Sequence, residues 1–162
     1  MTRSALIWAA LAGFLADQAS KYVVIHAMGL SRRMAIDVLP PLLNFRYGEN
    51  RGINFGLLGN DGELTRWLLI LFSLIVVFAV WYWVRTRHAG SVRMLLCAGL
   101  LIGGALGNVI DRLLYGYVLD FLNMSCCGIH NPFVFNLADV FIFAGAIGLV
   151  LFEPASRARN AP

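Results

Sequence analysis

Apolar residues in this chain fall into four runs separated by polar stretches. Trp67 to Val84 carries no charge and ends against Arg85-Thr86-Arg87, long enough to cross a bilayer as a helix. A second run, Met94 to Ile110, stops at Asp111-Arg112, and a third, Phe133 to Phe152, reaches spanning length only by including Asn136 and Asp139. The first in the chain, Ala5 to Met28, is interrupted by Asp17, Gln18 and Lys21. Its opening, Arg3 and then apolar residues, also has the form of a cleaved signal peptide. Against that, the apolar pattern resumes in Tyr22-Val23-Val24-Ile25, which a cleavage region has no reason to show. The expectation is one integral membrane domain over residues 1–162, with spans at about 5–28, 67–84, 94–110 and 133–152 and long connections at 29–66 and 113–132.

Within the first connection the pattern changes period. Ile36 and Val38, then Leu43, Phe45 and Tyr47, alternate with polar residues around Pro40-Pro41, which predicts two short strands with a break between them. Gly48 and Gly52 flank Asn50, predicting a turn that turns its amide toward an extended peptide. The fold class is therefore a membrane all-α protein, a four-transmembrane-helix bundle with a small β-rich piece from the first long loop.

Composition agrees with this reading. The chain is 59% hydrophobic and 14% charged, with a mean hydropathy of +0.72, against roughly 25% charged residues in soluble domains. A soluble enzyme is excluded. The net charge of +4 follows from arginines flanking the membrane, so no nucleic-acid partner is expected. Arg3, the loop Arg85 to Arg93, and Arg157 with Arg159 share one side. The density in the short loop makes that side cytoplasmic, although Arg32, Arg33, Arg46, Arg51 and Arg66 lie opposite.

With four spans, whichever way the chain faces, Asp17, Lys21, Asn108, Asp111, Asn136 and Asp139 converge at one depth, on the side opposite the termini. A charge in lipid costs about 2.5–3.5 kcal/mol on insertion scales, so such groups persist where they pair or act. Asp17 and Lys21, four residues apart, share a helix face and read first as a neutralising ion pair, structural glue, and second as part of a site. Leu101, Gly104, Asn108 and Asp111 form one stripe, and Gly103, Gly104 and Gly107 admit a neighbouring helix closely. Asn108 reads as interhelical glue or as a site residue, and Asp111 with Arg112 as a site or a solvated helix end. Asn136 and Asp139 share a face, and Asp139 also suits a first helical turn, where a carboxylate complements the helix dipole. Asp120 is a lone carboxylate in the apolar run Tyr117 to Phe121, either an exposed turn acid or a functional group. Two carboxylates meeting at the membrane surface share one proton and do general acid and base work on water.

No competing nucleophile constellation is present. Ser20 and Lys21 are adjacent rather than on one face, and Cys127 and His130 lack a motif. Cys97, Cys126 and Cys127 form no CxxC pair, and His26, His88 and His130 are scattered; no structural metal or cofactor is expected. Cys126 and Cys127 read as ordinary loop residues or, at most, a strained vicinal bridge. Two rival classes remain: a small transporter or proton-relay subunit using Asp17, Asp111 and Asp139, and an assembly subunit built on glycine packing.

Five segments taken together carry a resemblance. Asp17-Gln18-Ala19-Ser20-Lys21, Asn50-Arg51-Gly52-Ile53-Asn54-Phe55-Gly56, Gly104 to Arg112, Gly116-Tyr117-Val118-Leu119-Asp120-Phe121 and Phe135-Asn136-Leu137-Ala138-Asp139 closely resemble, in order and spacing, the signature blocks of bacterial lipoprotein signal peptidase, the type II signal peptidase. The resemblance implies four transmembrane helices, an extracytoplasmic β-rich cradle and an aspartic-type dyad at the outer surface of the bacterial cytoplasmic (inner) membrane. It further implies a monomer in contact with membrane lipid that removes the signal peptide of diacylglyceryl-modified prolipoproteins on the N-terminal side of the lipidated cysteine. Asp120 and Asp139 are then the dyad. Asn50, Asn108, Arg112 and Asn136 bind the substrate backbone or orient the carboxylates, Asp111 with Arg112 gives support, Asp17 and Lys21 form a steadying pair, and Gly104 and Ala138 belong to the same blocks. Asn54 departs from the family, which usually has a small residue there.

Overall fold

The computed structural model describes residues 4–52, 62–126, 128 and 131–153. Arg3, Asn54, Cys127, His130, Arg157 and Arg159 lie outside them. The helix α1, Ser4–Lys21, continues into a π-helical stretch, Tyr22–Ala27. A single turn α2, Leu30–Arg33, leads into strands β1, Ala35–Leu39, and β2, Leu43–Asn50. Next come α3, Gly62–Arg87, α4, Val92–Tyr115, strand β3, Val118–Asn123, and α5, Leu137–Phe152.

Helix α4 is the centre of the molecule, packing against α1, α5 and α3. Small residues make this possible. A Cβ on Gly99 would lie 2.5 Å from the Leu6 carbonyl oxygen on α1, and one on Gly104 would lie 2.5 Å from that of Ala138 on α5. The backbones are therefore in direct contact on two sides of α4, the arrangement that replaces hydrophobic driving force where helices meet in lipid. Leu6, Val84, Met94, Leu95, Ala98, Leu101, Ile102 and Leu149 fill the core around these contacts.

Two of the helices, α3 and α4, are long and apolar enough to cross a membrane, and α5 is a shorter apolar helix. Helix α3 touches the rest of the protein mainly through α4. It leaves Phe72 65% and Phe78 63% exposed. A helix that is apolar on every side yet covered on one needs a non-aqueous surrounding.

The strands form an antiparallel sheet in the order β1-β2-β3. Ala35 pairs with Arg46 and Ile36 with Phe45 between β1 and β2; Gly48 pairs with Asp120 and Asn50 with Val118 between β2 and β3. A second cluster, Val24, Ile25, Leu30, Leu119 and Phe121, with Ile36, Phe45, Tyr47 and Tyr117 against it, fastens the sheet to the end of the first helix.

Several boundaries differ from those read along the sequence. Helix α4 does not stop at Asp111-Arg112 but runs to Tyr115, ended by Gly116 at φ 85°, whose N–H donates to the Arg112 carbonyl. Glycine takes this left-handed geometry without the Cβ cost that other residues meet. Residues 133–136 are extended rather than helical, because Phe135 pairs with Leu122 of β3 and Asn136 caps α5. The run around Asp120 is a third strand. Asn50 is the last residue of β2, paired with Val118, and its Oδ1 accepts from the Gly52 N–H at 3.0 Å, so the turn expected there begins at the strand end. Cys126 is disulfide-bonded, not an ordinary loop thiol; Cys97 is free.

Gly104→Val should therefore wedge α4 from α5. We expect a loss of about 1–3 kcal/mol, typical of overpacking a tight contact, seen as a lower thermal unfolding midpoint in detergent micelles. An unchanged midpoint would show that the contact is looser than described.

Candidate active site

Chain connectivity brings Asp120 and Asp139 together. Strand β3 follows α4 directly, and Phe135 lies against its far half: the N–H groups of Phe121 and Leu122 donate to the Phe135 carbonyl at 3.0 and 2.8 Å, and Phe135 N–H donates to Leu122 at 3.0 Å. This short ladder delivers the start of α5 to Asp120, whose residue is only 3% exposed. An exposed turn acid is ruled out.

Asn136 joins the two carboxylates. Its side-chain amide donates to Asp120 Oδ1 at 2.6 Å. Its backbone N–H donates to Asp139 Oδ2 at 3.2 Å, and its Oδ1 accepts from the Asp139 N–H at 3.0 Å. The last two bonds are a reciprocal capping box at the start of α5. Capping satisfies helix donors that would otherwise be orphaned. Here it also fixes one Asp139 oxygen.

The remaining carboxylate oxygens are held from two other segments. Asn108 on α4 donates to Asp139 Oδ1 at 2.9 Å, and its own Oδ1 accepts from Asn136 at 3.1 Å. Asn50, at the end of β2, donates to Asp120 Oδ2 at 3.0 Å, while Asn50 Oδ1 accepts from the N–H of Gly52 at 3.0 Å. Burial pushes the Asp120 carboxyl up to about 7, and the nearby Asp139 charge adds to this, while the Asn50 and Asn136 bonds oppose it. Desolvation and a like charge both disfavour ionisation.

Arg112 is a partly buried cation that feels the charges of Asp120 and Asp139. Its one hydrogen bond among the described residues runs to the Asn108 carbonyl at 3.3 Å, so most of its donors have no partner among those residues. It does not pair with Asp111. That acid is fully buried and bonds instead to Lys21, 2.7 Å away, because the two side chains meet inside the bundle. Lys21 also contacts Asp17 at 2.7 Å and reaches Asn108 Oδ1 at 3.4 Å. Gln18, which the sequence reading passed over, donates to Asp17 at 3.1 Å and to Asp111 at 3.0 Å. Its place one turn before Tyr22 and beside Asp17 was the available signal. Gly104 and Ala138 form the backbone contact beneath the site; the Ala138 N–H donates to Asp17 Oδ1 at 2.9 Å, and among the described residues neither bonds to Asp120 or Asp139.

An apolar groove of about 560 Å³ runs from Asp139 along α5, lined by Phe135, Val140, Phe143, Ala144 and Ile147. The arrangement thus presents two carboxyls, one tending to hold a proton, fixed by three asparagines, with a cation nearby and an apolar track leading from Asp139. Such a set can activate water against a carbonyl group.

Residues 9–153 match the model of the family described as signal peptidase (SPase) II. The chain belongs to the signal peptidase II family. Among its relatives, a protein named lipoprotein signal peptidase from Methylorubrum extorquens (strain PA1) is 42% identical over 158 residues, 96% of this chain and 90% of the relative. One of the same name from Alteromonas mediterranea is 38% identical over 145 residues, covering 90% and 78%. A solved structure described as a bacterial membrane enzyme, at 1.9 Å resolution, superposes with a TM-score of 0.77 at 28% identity, covering 93% of this chain and 94% of that one. A second, at 2.3 Å, gives 0.73 at 29% identity over 90% and 85%.

Asn50→Ala removes a bond that favours the ionised Asp120, so the Asp120 titration should move upward from about 7. Carbon-detected NMR of the labelled carboxyl in micelles checks this. A downward shift would contradict the assignment.

Proposed function

We propose that this chain cleaves diacylglyceryl-modified prolipoproteins on the N-terminal side of the lipidated cysteine, with Asp120 and Asp139 activating one water molecule. The observation that carries the reading is that one residue, Asn136, hydrogen-bonds both carboxylates. The pair holds one proton between them. The ionised member takes a proton from water as its oxygen attacks the scissile carbonyl carbon, and the protonated member donates to the carbonyl oxygen. The tetrahedral species then collapses, the C–N bond breaks, and the leaving amine takes up a proton from the pair. Each such proton transfer contributes typically 10²–10⁴-fold. The Arg112 donors suit the substrate backbone, and Asn50, Asn108 and Asn136 orient the carboxylates.

In this reading α1, α3, α4 and α5 cross the bacterial cytoplasmic membrane with both termini inside, in a monomer, and the sheet forms a cradle on the outer face. A substrate anchored by its acyl chains arrives laterally, and the groove along α5 accommodates apolar chain beside the carboxylates. A relay of protons across the membrane is less well served by this layout. Asp17, Asp111 and Asp139 collect at one end of the bundle, while the opposite ends of α1, α4 and α5 are apolar.

Asp120→Asn and Asp139→Asn should each lower cleavage of a diacylglyceryl-modified precursor by at least about 10³-fold, since either loses an acid or base role, while the protein still accumulates in membranes. Full cleavage by either purified variant would contradict the reading. The pH dependence follows from Asp120. A carboxyl raised to about 7 holds its proton below that pH and loses it above, so kcat should fall as pH rises through about 7. A rate still climbing at pH 9 would place the proton elsewhere.

A further inference from the structure

Successive rows of side chains across a sheet point to opposite faces. Ile36, Phe45 and Leu122 form one row, paired strand to strand, and all three pack against the apolar cluster that fastens the sheet. The next row, Asp37, Asn44 and Asn123, therefore faces the other way. Arg46 joins it, with Nη2 2.7 Å from Asp37 Oδ1. These four residues, Ser125 and Val134 are among those lining a recess of about 460 Å³, within the roughly 300–1,000 Å³ typical of ligand sites. Val134 also marks the way to the dyad: its Cβ and that of Asp120 each lie 3.5 Å from the point where a Cβ on Gly48 would stand. The recess and Asp120 thus share one face, and Gly48 places no side chain between them.

Part of the recess is fixed in advance. Asn123 is buried, and its amide donates to the Asn131 and Phe133 carbonyls at 2.8 and 2.9 Å, while the Asn131 N–H donates to Ser125 Oγ at 3.1 Å. A wall held in this way lowers the ordering cost of binding. Asp37 and Arg46 are the adaptable part. Their side chains are 60% and 37% exposed, and an exposed pair holds its partners only weakly. Among the described residues Arg46 donates to Asp37 and, at 3.2 Å, to the Phe45 carbonyl, which leaves most of a guanidinium's N–H donors without a partner there.

We propose that this recess is a subsite for the mature polypeptide of the precursor, seating the residue about four positions after the scissile bond and selecting hydrogen-bonding side chains there over apolar ones. The inference rests on the reading of Asp120 and Asp139 as the cleaving pair. Gly48 and Asn44 lie on one strand, about 13 Å apart at roughly 3.3 Å per residue, the reach of about four residues of extended peptide. Cleavage before the lipidated cysteine leaves the acyl chains and the apolar signal segment in the membrane, and only the mature chain continues into water. An apolar segment in the recess would cover the Asp37 and Arg46 groups without bonding them, which costs free energy. A polar chain supplies the missing partners.

The test compares substrates within each protein, so a variant's yield cancels. Purified wild type and variants in micelles receive diacylglyceryl-modified precursor peptides that share one signal segment. One peptide ends directly after the lipidated cysteine. The others continue for about six residues, enough to pass the recess, made of serine and asparagine, of leucine, or of serine with one aspartate at the fourth position after the scissile bond. The readout is kcat/KM for each long peptide divided by that for the short one. In the wild type the serine and asparagine tail should raise kcat/KM about 3–10-fold, the worth of one net hydrogen bond, and the leucine tail by less than about twofold. Arg46→Ala should bring the first ratio to within about twofold of unity. With the aspartate tail the variants should diverge, Asp37→Ala raising the ratio above wild type and Arg46→Ala lowering it, a reversal that a folding defect does not produce. Equal ratios for the polar and leucine tails in the wild type, or an undiminished polar ratio in Arg46→Ala, would overturn the inference. Full cleavage of the short peptide by Asp120→Asn would instead remove the reading beneath it, a result distinct from an active wild type that ignores its tails.

Discussion

A lysine ammonium buried 2.7 Å from each of two carboxylates joins four elements of this chain. Asp17 and Lys21 come from α1 and Asp111 from α4, and through backbone N–H groups the same carboxylates reach β3 and α5. Moving such ions out of water costs several kcal/mol each, so the arrangement is tolerated only with close pairing and further hydrogen bonds. The two anionic oxygens nearest Lys21, the Gln18 amide and the two peptide N–H groups supply them. Removing one partner of a buried set like this typically costs about 3–5 kcal/mol, far more than the exposed pair Arg51–Glu49 at 2.7 Å would contribute, since surface pairs are worth roughly 0–1 kcal/mol.

That network can form only because the helices approach closely. A Cβ on Gly107 would lie 2.6 Å from Asp17 Oδ2, so any larger residue would push α1 and its carboxylate away from α4. The glycines of α4 therefore serve two purposes: they bring backbones together where lipid offers no hydrophobic drive, and they leave room for the ions at the end of the bundle. Above them the sheet covers the site. Its pairing of Gly48 with Asp120 and of Asn50 with Val118 puts an amide from the first long connection onto a carboxylate from the second.

Much of this was legible in the chain. The spacing of four between Asp17 and Lys21 announced their pair, the stripe through Gly104, Asn108 and Asp111 announced an inward face, and alternation around Pro40-Pro41 announced two strands. The third strand was not, because Val118 to Asn123 reads as an unbroken apolar run around one acid, and its partner lies about seventy residues earlier in the chain; pairing at that distance leaves no local periodicity. The start of α5 was misplaced for a related reason: Phe133 to Phe135 is as apolar as the helix that follows, and only the Asn136 to Asp139 capping spacing marks the boundary. Asp111 was read beside Arg112 as a site or a solvated helix end, and its buried partner, Lys21, comes from another helix. Shared ownership of one lysine by two aspartates is a tertiary fact that no spacing along a single segment encodes.

The central claim is that four separate segments converge to hold two carboxyl groups around one water molecule. An experimental structure of the membrane-embedded protein, at a resolution that places ordered water, tests it most directly. The account predicts a single water within about 2.6–3.2 Å of an oxygen of both Asp120 and Asp139, the reach required of a general base. Carboxyls turned apart, each with its own solvent and none in common, would contradict it.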